Sequence, residues 1–434
     1  MAGGDHPSCP EIANDQLTQL QSLVAELLPA NSFYTTKLQA AGVTFDVASL
    51  EDYSKRFPFT TKRELVEDQR LHPPYGTNLT YPLAHYTRYH QTSGTSGVPL
   101  RWLDSPESWD GMVESWIKIF AAAGVERGER IYFAFSFGPF IGFWLAFEAA
   151  ARRGCICLPG GGLSSKARLQ AIIDNQASVL CCTPTYALRL AEVAAEENID
   201  PALVKLKTII VGGEAGGSIP ATRARLTKLW HGARIFDHHG MTEVGPVTYQ
   251  CPQRPGVLHV LESAYYAEVV DPVSGNPSPP GQTGELVLTT LGRTGSPLLR
   301  YRTGDLVKCG VRNAECGIPC ACGRFELALE SGILGRTDEM VVVRGVNVFP
   351  SAVEEIIRAN GDVAEYQVNV STAHSLKELG IKVETKPDCR DVAALVKNLA
   401  KAFDKAFALR VAVTAVAPGT LPRFEMKAKR WLKS

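Results

Sequence analysis

The sequence predicts an α/β protein, and three observations along the chain predict it. From about residue 130, short apolar runs alternate with helix-patterned segments, the signature of a parallel sheet covered on both faces. The span from about 252 to 334 is punctuated by Pro and Gly and predicts an antiparallel β subregion. After Gly335-Arg336-Thr337-Asp338 the pattern changes once more, to a small α+β set. A chain of 434 residues suits one large domain followed by a smaller one. The expected division is 1–334, a hinge at 335–338, and 339–434.

Each element has its own pattern. Ile131–Phe137, Cys155–Leu158, Val179–Cys182, Thr208–Val211 and Ile235–Asp237 are apolar runs of strand length, predicted as buried strands. Between them Ile141–Ala151, Lys166–Asp174, Tyr186–Glu196 and Ala221–Trp230 carry helical periodicity. Gly284–Thr290 is a strand of the antiparallel subregion. In the last part, Met340–Val343, Tyr366–Val370, Lys377–Glu384 and Val411–Val416 are strands, with helices from Pro350 and across Val392–Phe407.

Composition narrows the function. The chain is 45% apolar and 21% charged, the balance of a soluble globular protein with ample core. Lys+Arg and Asp+Glu both total 45, so no net field draws nucleic acid or anionic lipid. The N-terminus is polar, and no apolar run reaches membrane-spanning length. These features predict a cytoplasmic enzyme without membrane or nucleic-acid partners; a homodimer is left open. Of eleven cysteines, Cys155, Cys157, Cys181 and Cys182 sit in apolar strands, where a thiol is a small hydrophobe. Cys251, Cys309, Cys316, Cys320 and Cys322 instead crowd a Gly/Pro-rich region, which in a cytosolic chain favours metal over disulfides.

Seven short motifs carry chemistry. In Thr92-Ser93-Gly94-Thr95-Ser96-Gly97, two glycines free the backbone to curl and four hydroxyls line the curl, as a polyphosphate requires. The Gly-Lys-Ser/Thr ending of a Walker loop is missing. Taken alone, such a loop is more often a polar surface turn. Ile209-Ile210-Val211-Gly212-Gly213-Glu214 is a buried strand entering a glycine turn. Phe236-Asp237-His238-His239-Gly240-Met241-Thr242-Glu243 places rings, then a hydroxyl, then a carboxylate after a strand: a platform for a base, a phosphate donor and a Mg²⁺ ligand. Arg300-Tyr301-Arg302-Thr303-Gly304-Asp305 sets a short acceptor after a turn, suited to ribose hydroxyls. Gly335-Arg336-Thr337-Asp338 and Arg344-Gly345-Val346-Asn347-Val348-Phe349-Pro350 mark the junction, and Leu421 to Arg430 is a basic cluster.

In that order these motifs resemble the acyl-adenylate-forming superfamily and, within it, the phenylacetate–coenzyme A ligase family, from about Phe57 to the C-terminus. The resemblance implies a large domain and a mobile C-terminal one. Thr92, Ser93, Gly94, Thr95, Ser96 and Gly97 would embrace the β- and γ-phosphates of ATP. Gly213, Glu214 and His239 would border the adenine, and Gly240, near the acid's carboxylate, and Met241 would complete the cofactor-binding set. Thr242 would touch the α-phosphate, Glu243 would hold Mg²⁺, and Asp305 with Arg336 would bind the ribose. Lys427 matches the lysine of a Pro-Arg-x-Glu-Gly-Lys ending, with Met426 in place of the glycine.

That set suits one reaction. A carboxylate resists a thiolate until it is joined to AMP, and the barrier lies in gathering anionic oxygens at phosphorus. Glu243 with Mg²⁺, the hydroxyl loop and Lys427 would share that task. A rotation about Asp338 would then exchange Lys427 for the Gly345 side of the small domain, admitting coenzyme A. The acid is expected to be aromatic and phenylacetate-like, because seven aromatic residues occupy Tyr132 to Trp144; Phe137, Gly138, Pro139, Phe143 and Gly240 are the candidate pocket. Related chains carry a Cys…His…Cys-x-Cys-Gly-Arg set resembling a structural zinc site, matched here by Cys251, His259, Cys320 and Cys322, with Cys309 and Cys316 as spares. Two alternatives stand beside this reading: delivery of the acyl group to a carrier-protein thiol or an amine, and a zinc-stabilised nucleotide-binding pseudoenzyme.

Overall fold

The computed structural model describes residues 6–92, 98–310, 319–344, 346–373, 376–424 and 428–433. Two compact units emerge, one formed by Met1–Gly162 with Phe236–Ile333, the other by Leu163–Ile235 with Leu334–Ser434.

The first unit opens with helices Cys9–Leu27, Ser32–Ala40, Leu50–Arg56 and Lys62–Leu71. Their starts are written in the sequence: Ser8 with Glu11 and Thr61 with Glu64 form capping boxes, and the side chains of Asn31 and Ser49 accept from the backbone amides three residues on. The helices bury Leu20, Leu23, Leu27, Tyr34, Tyr53 and Phe57 in one cluster with Tyr266, Leu291 and Leu299. Each such side chain contributes about 1.5–3 kcal/mol on burial, enough to fix the helices against the β subregion.

That subregion is a six-stranded sheet in the order Thr248–Gln250, Leu258–Val260, Ala328–Arg336, Tyr301–Cys309, Thr283–Thr290, Tyr265–Val270. Leu286, Val287 and Leu288 are fully buried along its Thr283–Thr290 strand, and the pairing with Tyr301–Cys309 shifts register between Glu285 and Val287. Strands Arg130–Phe133 and Ile156–Pro159 of the same unit run parallel, with helix Trp144–Arg152 between them in sequence.

In the second unit Val179–Cys182 and Thr208–Val211 pair in parallel, Cys181 opposite Ile210, with helix Pro184–Glu196 as the crossover. A four-stranded sheet follows in the order Ala412–Val416, Leu376–Thr385, Val363–Ala373, Trp431–Lys433. Helices Pro350–Ala359 and Val392–Phe407 bring Val353, Ile357, Leu399 and Phe403 into one core with Val368, Ile381 and Val383 of the sheet. The expected α/β class is therefore found, with parallel and antiparallel sheets both present.

Two expected limits need correction. The strand read as Ile131–Phe137 ends at Phe133, because the Phe135 amide turns back onto the Phe133 carbonyl at 3.1 Å. The helix read as Ile141–Ala151 begins at Trp144, because Gly142 adopts φ +36° just before it. Among the described residues, no helix is long and apolar enough to cross a membrane.

Candidate active site and metal centre

The Gly-Met-Thr-Glu motif forms a tight hairpin in which Gly240–Met241 pairs with Gly245–Pro246. A Cβ on Gly240 would lie 2.7 Å from the Gly245 carbonyl oxygen, so the hairpin itself demands glycine there. Thr242 and Glu243 occupy the turn. The Glu243 carboxylate is buried, and the Lys62 ammonium lies 2.8 Å from its Oε1.

Arg293 fixes the hairpin from behind. Its Nη1 donates to the carbonyls of Thr242 (2.9 Å) and Glu243 (2.7 Å), while Nε and Nη2 donate to the two carboxylate oxygens of Asp104 (2.6 and 2.8 Å). Arginine and carboxylate are both almost wholly buried, so the pair is a rigid fork in low dielectric. Lysine cannot supply that fork. We expect Arg293→Lys to cost about 2–3 kcal/mol, the scale of lost hydrogen bonds to charged groups. A urea midpoint equal to the parent's would dismiss the fork as a stabilising element.

His239 and Asp305 are brought together: Nε2 of the ring lies 3.0 Å from Oδ2 of the buried carboxylate. The Asp305 amide donates to Thr303 Oγ1 at 3.0 Å, and Gly304 turns between them at φ +77°. Neighbouring His238 donates from Nδ1 to the Thr248 carbonyl at 2.8 Å, and its ring centroid lies 4.5 Å from that of Trp116. Burial pushes its pKa down to about 4, so the imidazole is neutral near pH 7.

The aromatic run makes a connected ring set rather than a strand face. Phe135 stacks on Phe137 with centroids 4.2 Å apart, and Phe143 lies 5.3 Å from Phe135 and 6.0 Å from Trp116. The Gly138 carbonyl accepts from Trp144 Nε1 (3.0 Å), and the Pro139 carbonyl accepts from the Gln91 amide (2.8 Å). That second bond ties the turn to the residues leading into the hydroxyl loop. The Thr92 amide donates to the Leu100 carbonyl (2.9 Å) and the Leu100 amide to Thr92 Oγ1 (3.0 Å), closing the neck of the loop. Ser93, Gly94, Thr95, Ser96 and Gly97 lie outside the described residues, as do Gly345 and Lys427.

In the second unit, Gly213 takes φ +90° just after strand Thr208–Val211. Glu214 follows it and accepts from two amides, Thr185 N–H on Oε1 (2.9 Å) and Ala428 N–H on Oε2 (3.0 Å). Arg336 Nε donates to Asp338 Oδ1 at 2.9 Å.

A separate cluster forms on the antiparallel sheet. One ligand atom from each of Cys251, His259, Cys320 and Cys322 lies within 4.8 Å of the others. Cys251 Sγ is 3.8 Å from Cys320 Sγ, and Cys322 Sγ is 3.4 Å from His259 Nε2. A tetrahedral zinc with bonds of about 2.3 Å to sulfur and 2.0–2.1 Å to nitrogen separates two sulfurs by about 3.8 Å, and sulfur from nitrogen by about 3.5 Å. The donor set and its spacing thus fit the ion. His259 Nδ1 lies 3.2 Å from the Glu326 carbonyl, which fixes the ring with Nε2 free to ligate. Gly323, at φ +82°, closes the Cys320–Arg324 turn. Cys309 stands apart with its thiol on the Gly310 carbonyl, and Cys316 lies outside the described residues.

Sequence reasoning did not find Lys62, Asp104 or Arg293. Lys62 and Arg293 meet the hairpin, and Asp104 meets Arg293, only through the tertiary fold, and none lies in a motif.

Comparison with known proteins follows the same lines. The AMP-binding enzyme family matches residues 92–292, and the AMP-binding enzyme C-terminal domain matches 345–433. The phenylacetate-coenzyme A ligase of Thermus thermophilus is 32% identical over 433 residues, covering 94% of this chain and 93% of the relative. The crystal structure of 2-hydroxyisobutyryl-CoA ligase in the postadenylation state, in complex with 2-HIB-AMP, is similar with a TM-score of 0.92 at 27% identity, over 99% of this chain and 91% of that one. The same ligase with 2-HIB-AMP and CoA in the thioesterification state gives a TM-score of 0.73 at 28% identity, over 98% of this chain and 90% of that one. With its motifs, its fold and a relative aligned almost end to end, the chain belongs to the phenylacetate–coenzyme A ligase family of AMP-binding enzymes.

Proposed function

We propose that this chain is an AMP-forming acid–CoA ligase whose acid is aromatic and phenylacetate-like. A carboxylate oxygen of the acid attacks the α-phosphorus of ATP, the bond to the β-phosphate oxygen breaks, and pyrophosphate leaves. The thiolate of coenzyme A then attacks the acyl carbonyl and AMP departs. The observation that carries the reading is the buried Glu243 carboxylate, held on the Arg293-braced hairpin with a cation already against it.

Glu243 is the residue that would hold Mg²⁺, which supplies charge neutralisation at the phosphate oxygens. Thr242 adds a hydroxyl beside it. His239 and Asp305 offer a ring for the base and a carboxylate for the ribose hydroxyls, and Arg336 adds a cation on the ribose side. Phe135, Phe137, Phe143 and Trp116, with the neutral His238 ring, give the acid an apolar aromatic lining that favours a flat ring. Residues 335–338 serve as the hinge between 1–334 and 339–434, and the Cys251, His259, Cys320 and Cys322 set holds a structural zinc. The reaction consumes ATP and coenzyme A and belongs in the cytoplasm.

A panel of aromatic and aliphatic acids, read by pyrophosphate release with and without coenzyme A, tests the assignment. Aromatic acids should release pyrophosphate, and coenzyme A should convert the product to a thioester. A release equally strong with short aliphatic acids would sink the aromatic pocket. Thioester formed only on a carrier protein would replace the acceptor. Within this scheme Glu243→Gln is expected to raise the Mg²⁺ requirement, since one charge on a hard cation is removed. Asp305→Ala is expected to raise KM for ATP. Unchanged Mg²⁺ and ATP dependence in both variants would refute the site.

A further inference from the structure

We propose that His238 is a specificity-determining residue whose Nε2 accepts a hydrogen bond from a hydroxyl or amino group on the ring of the acid. The preferred substrate is then an aryl acid that carries such a donor. The inference rests on the acid-activating reading above and deepens it, by naming which aromatic acids the ring set selects.

The imidazole is clamped in place. The amides of Val247 and Thr248 both donate to the His239 carbonyl (2.9 and 3.1 Å), and the His239 amide donates to Thr248 Oγ1 (3.0 Å). The His238 amide donates to Asp237 Oδ1 at 3.0 Å, and the ring itself reaches the Thr248 carbonyl from Nδ1 at 2.8 Å. That last bond also sets the tautomer. A carbonyl only accepts, so Nδ1 carries the proton, and the neutral ring keeps a lone pair on Nε2. The two ring nitrogens point in nearly opposite directions, so the lone pair is turned away from strand Thr248–Gln250. Among the described residues the ring's hydrogen bond is the one at Nδ1, which leaves Nε2 without a protein donor.

The surroundings make that lone pair selective. His238 is 8% exposed and packs against buried Trp116, whose ring lies 6.0 Å from Phe143, and the set continues to Phe135 and Phe137. Phenylalanine has no polar atom and an indole N–H only donates, so of these rings the imidazole alone can accept. An acceptor left unpaired in apolar surroundings costs free energy that leucine or phenylalanine at the same place would not. A donor on the acid's ring relieves that cost, and an acid without one leaves it standing. Selection of this kind discriminates through the unpaired group more than through shape.

The test compares phenylacetate with its ortho, meta and para hydroxy and methoxy derivatives on the parent enzyme, read by pyrophosphate release and by equilibrium binding. A methoxy group fills the same place with no proton to give. One hydroxy isomer should exceed both phenylacetate and its own methoxy counterpart by about 10–100-fold in kcat/KM, the scale of one hydrogen bond to a buried group. In His238→Leu the ratio of that hydroxy acid to phenylacetate should fall to about one. Because this variant also loses the bond to Thr248, a second measurement reads the parent directly. The ¹⁵N resonance of His238 Nε2 should be that of an unprotonated nitrogen and should move with the hydroxy acid but not with the methoxy acid. Hydroxy and methoxy isomers used equally well, a hydroxyl preference that survives in His238→Leu, or an Nε2 resonance indifferent to the hydroxy acid would each overturn the proposal. Aromatic acids activated without any hydroxyl preference would overturn it and leave the acid-activating reading intact. A protein that releases pyrophosphate with no aromatic acid would count against that reading itself.

Discussion

Lys427→Ala is expected to slow adenylate formation about 10²–10³-fold, the scale of removing one preorganised stabiliser of developing negative charge. In the first half-reaction a carboxylate approaches a triphosphate, so anionic oxygens crowd one phosphorus atom. Burial of fixed cations there lowers the barrier without reorganisation at the moment of reaction. An ammonium on a lysine stem is suited to the task because it is compact and can meet oxygens from any side. The second half-reaction needs no such cation: AMP leaves as a stable anion, and the thiolate needs room where the lysine stood. Single-turnover measurements with presynthesised adenylate and coenzyme A separate the two steps. The variant should lose the first and keep most of the second. Equal loss in both would argue against exchange of the lysine for the acceptor. Lys427→Arg should recover only part of the rate, since the planar guanidinium keeps the charge but not the shape.

Most of the architecture was legible because buried parallel strands leave little ambiguity. Val179–Cys182 and Thr208–Val211 are short apolar runs bounded by polar residues, and their limits in the structure are those read from the sequence. The aromatic run from Tyr132 misled, since rings favour strands generally but here a backbone turn at Phe135 gathers them into a pocket-like set. Motif residues shaped by their own local backbone, such as Gly240 in its hairpin, stand out by order and spacing alone. Arg293 was invisible: it lies fifty residues beyond Glu243 in the chain, and only the fold sets its fork against the Thr242 and Glu243 carbonyls. Lys62 was hidden in the same way, as the first residue of a surface helix whose sequence reads as ordinary solvated charge. Glu214 shows a third case, where the motif located the residue and the structure gave its carboxylate two amide partners that no pattern announces.

Stripping the metal should cost stability before it costs chemistry. The four ligands come from Cys251 and His259 on one side and from the Cys320–Cys322 turn on the other, so an ion joins segments about sixty residues apart. Cys251 and His259 flank one edge of the antiparallel sheet, and the Cys320 turn immediately precedes strand Ala328–Arg336, which pairs with the His259 strand. Without the ion, the ligand atoms of three cysteines and an imidazole lie within 4.8 Å of one another. Zinc held by all four would have no open position for water or substrate, which would make it a staple and not a catalyst. An ion held at a free concentration about 1,000 times its dissociation constant stabilises the native state by about 4 kcal/mol, and a loss of that size lowers Tm by on the order of 10 °C in a domain of this size. The expected results are about one zinc per chain with Zn–S near 2.3 Å, a Tm that falls on chelation and returns with added zinc, and a Cys322→Ser variant that behaves like the chelated protein. At a temperature where the chelated protein is still folded, pyrophosphate release should persist. A chelated protein that melts normally yet is inactive would make the ion catalytic, and a metal-free preparation of full stability would leave four ordinary side chains.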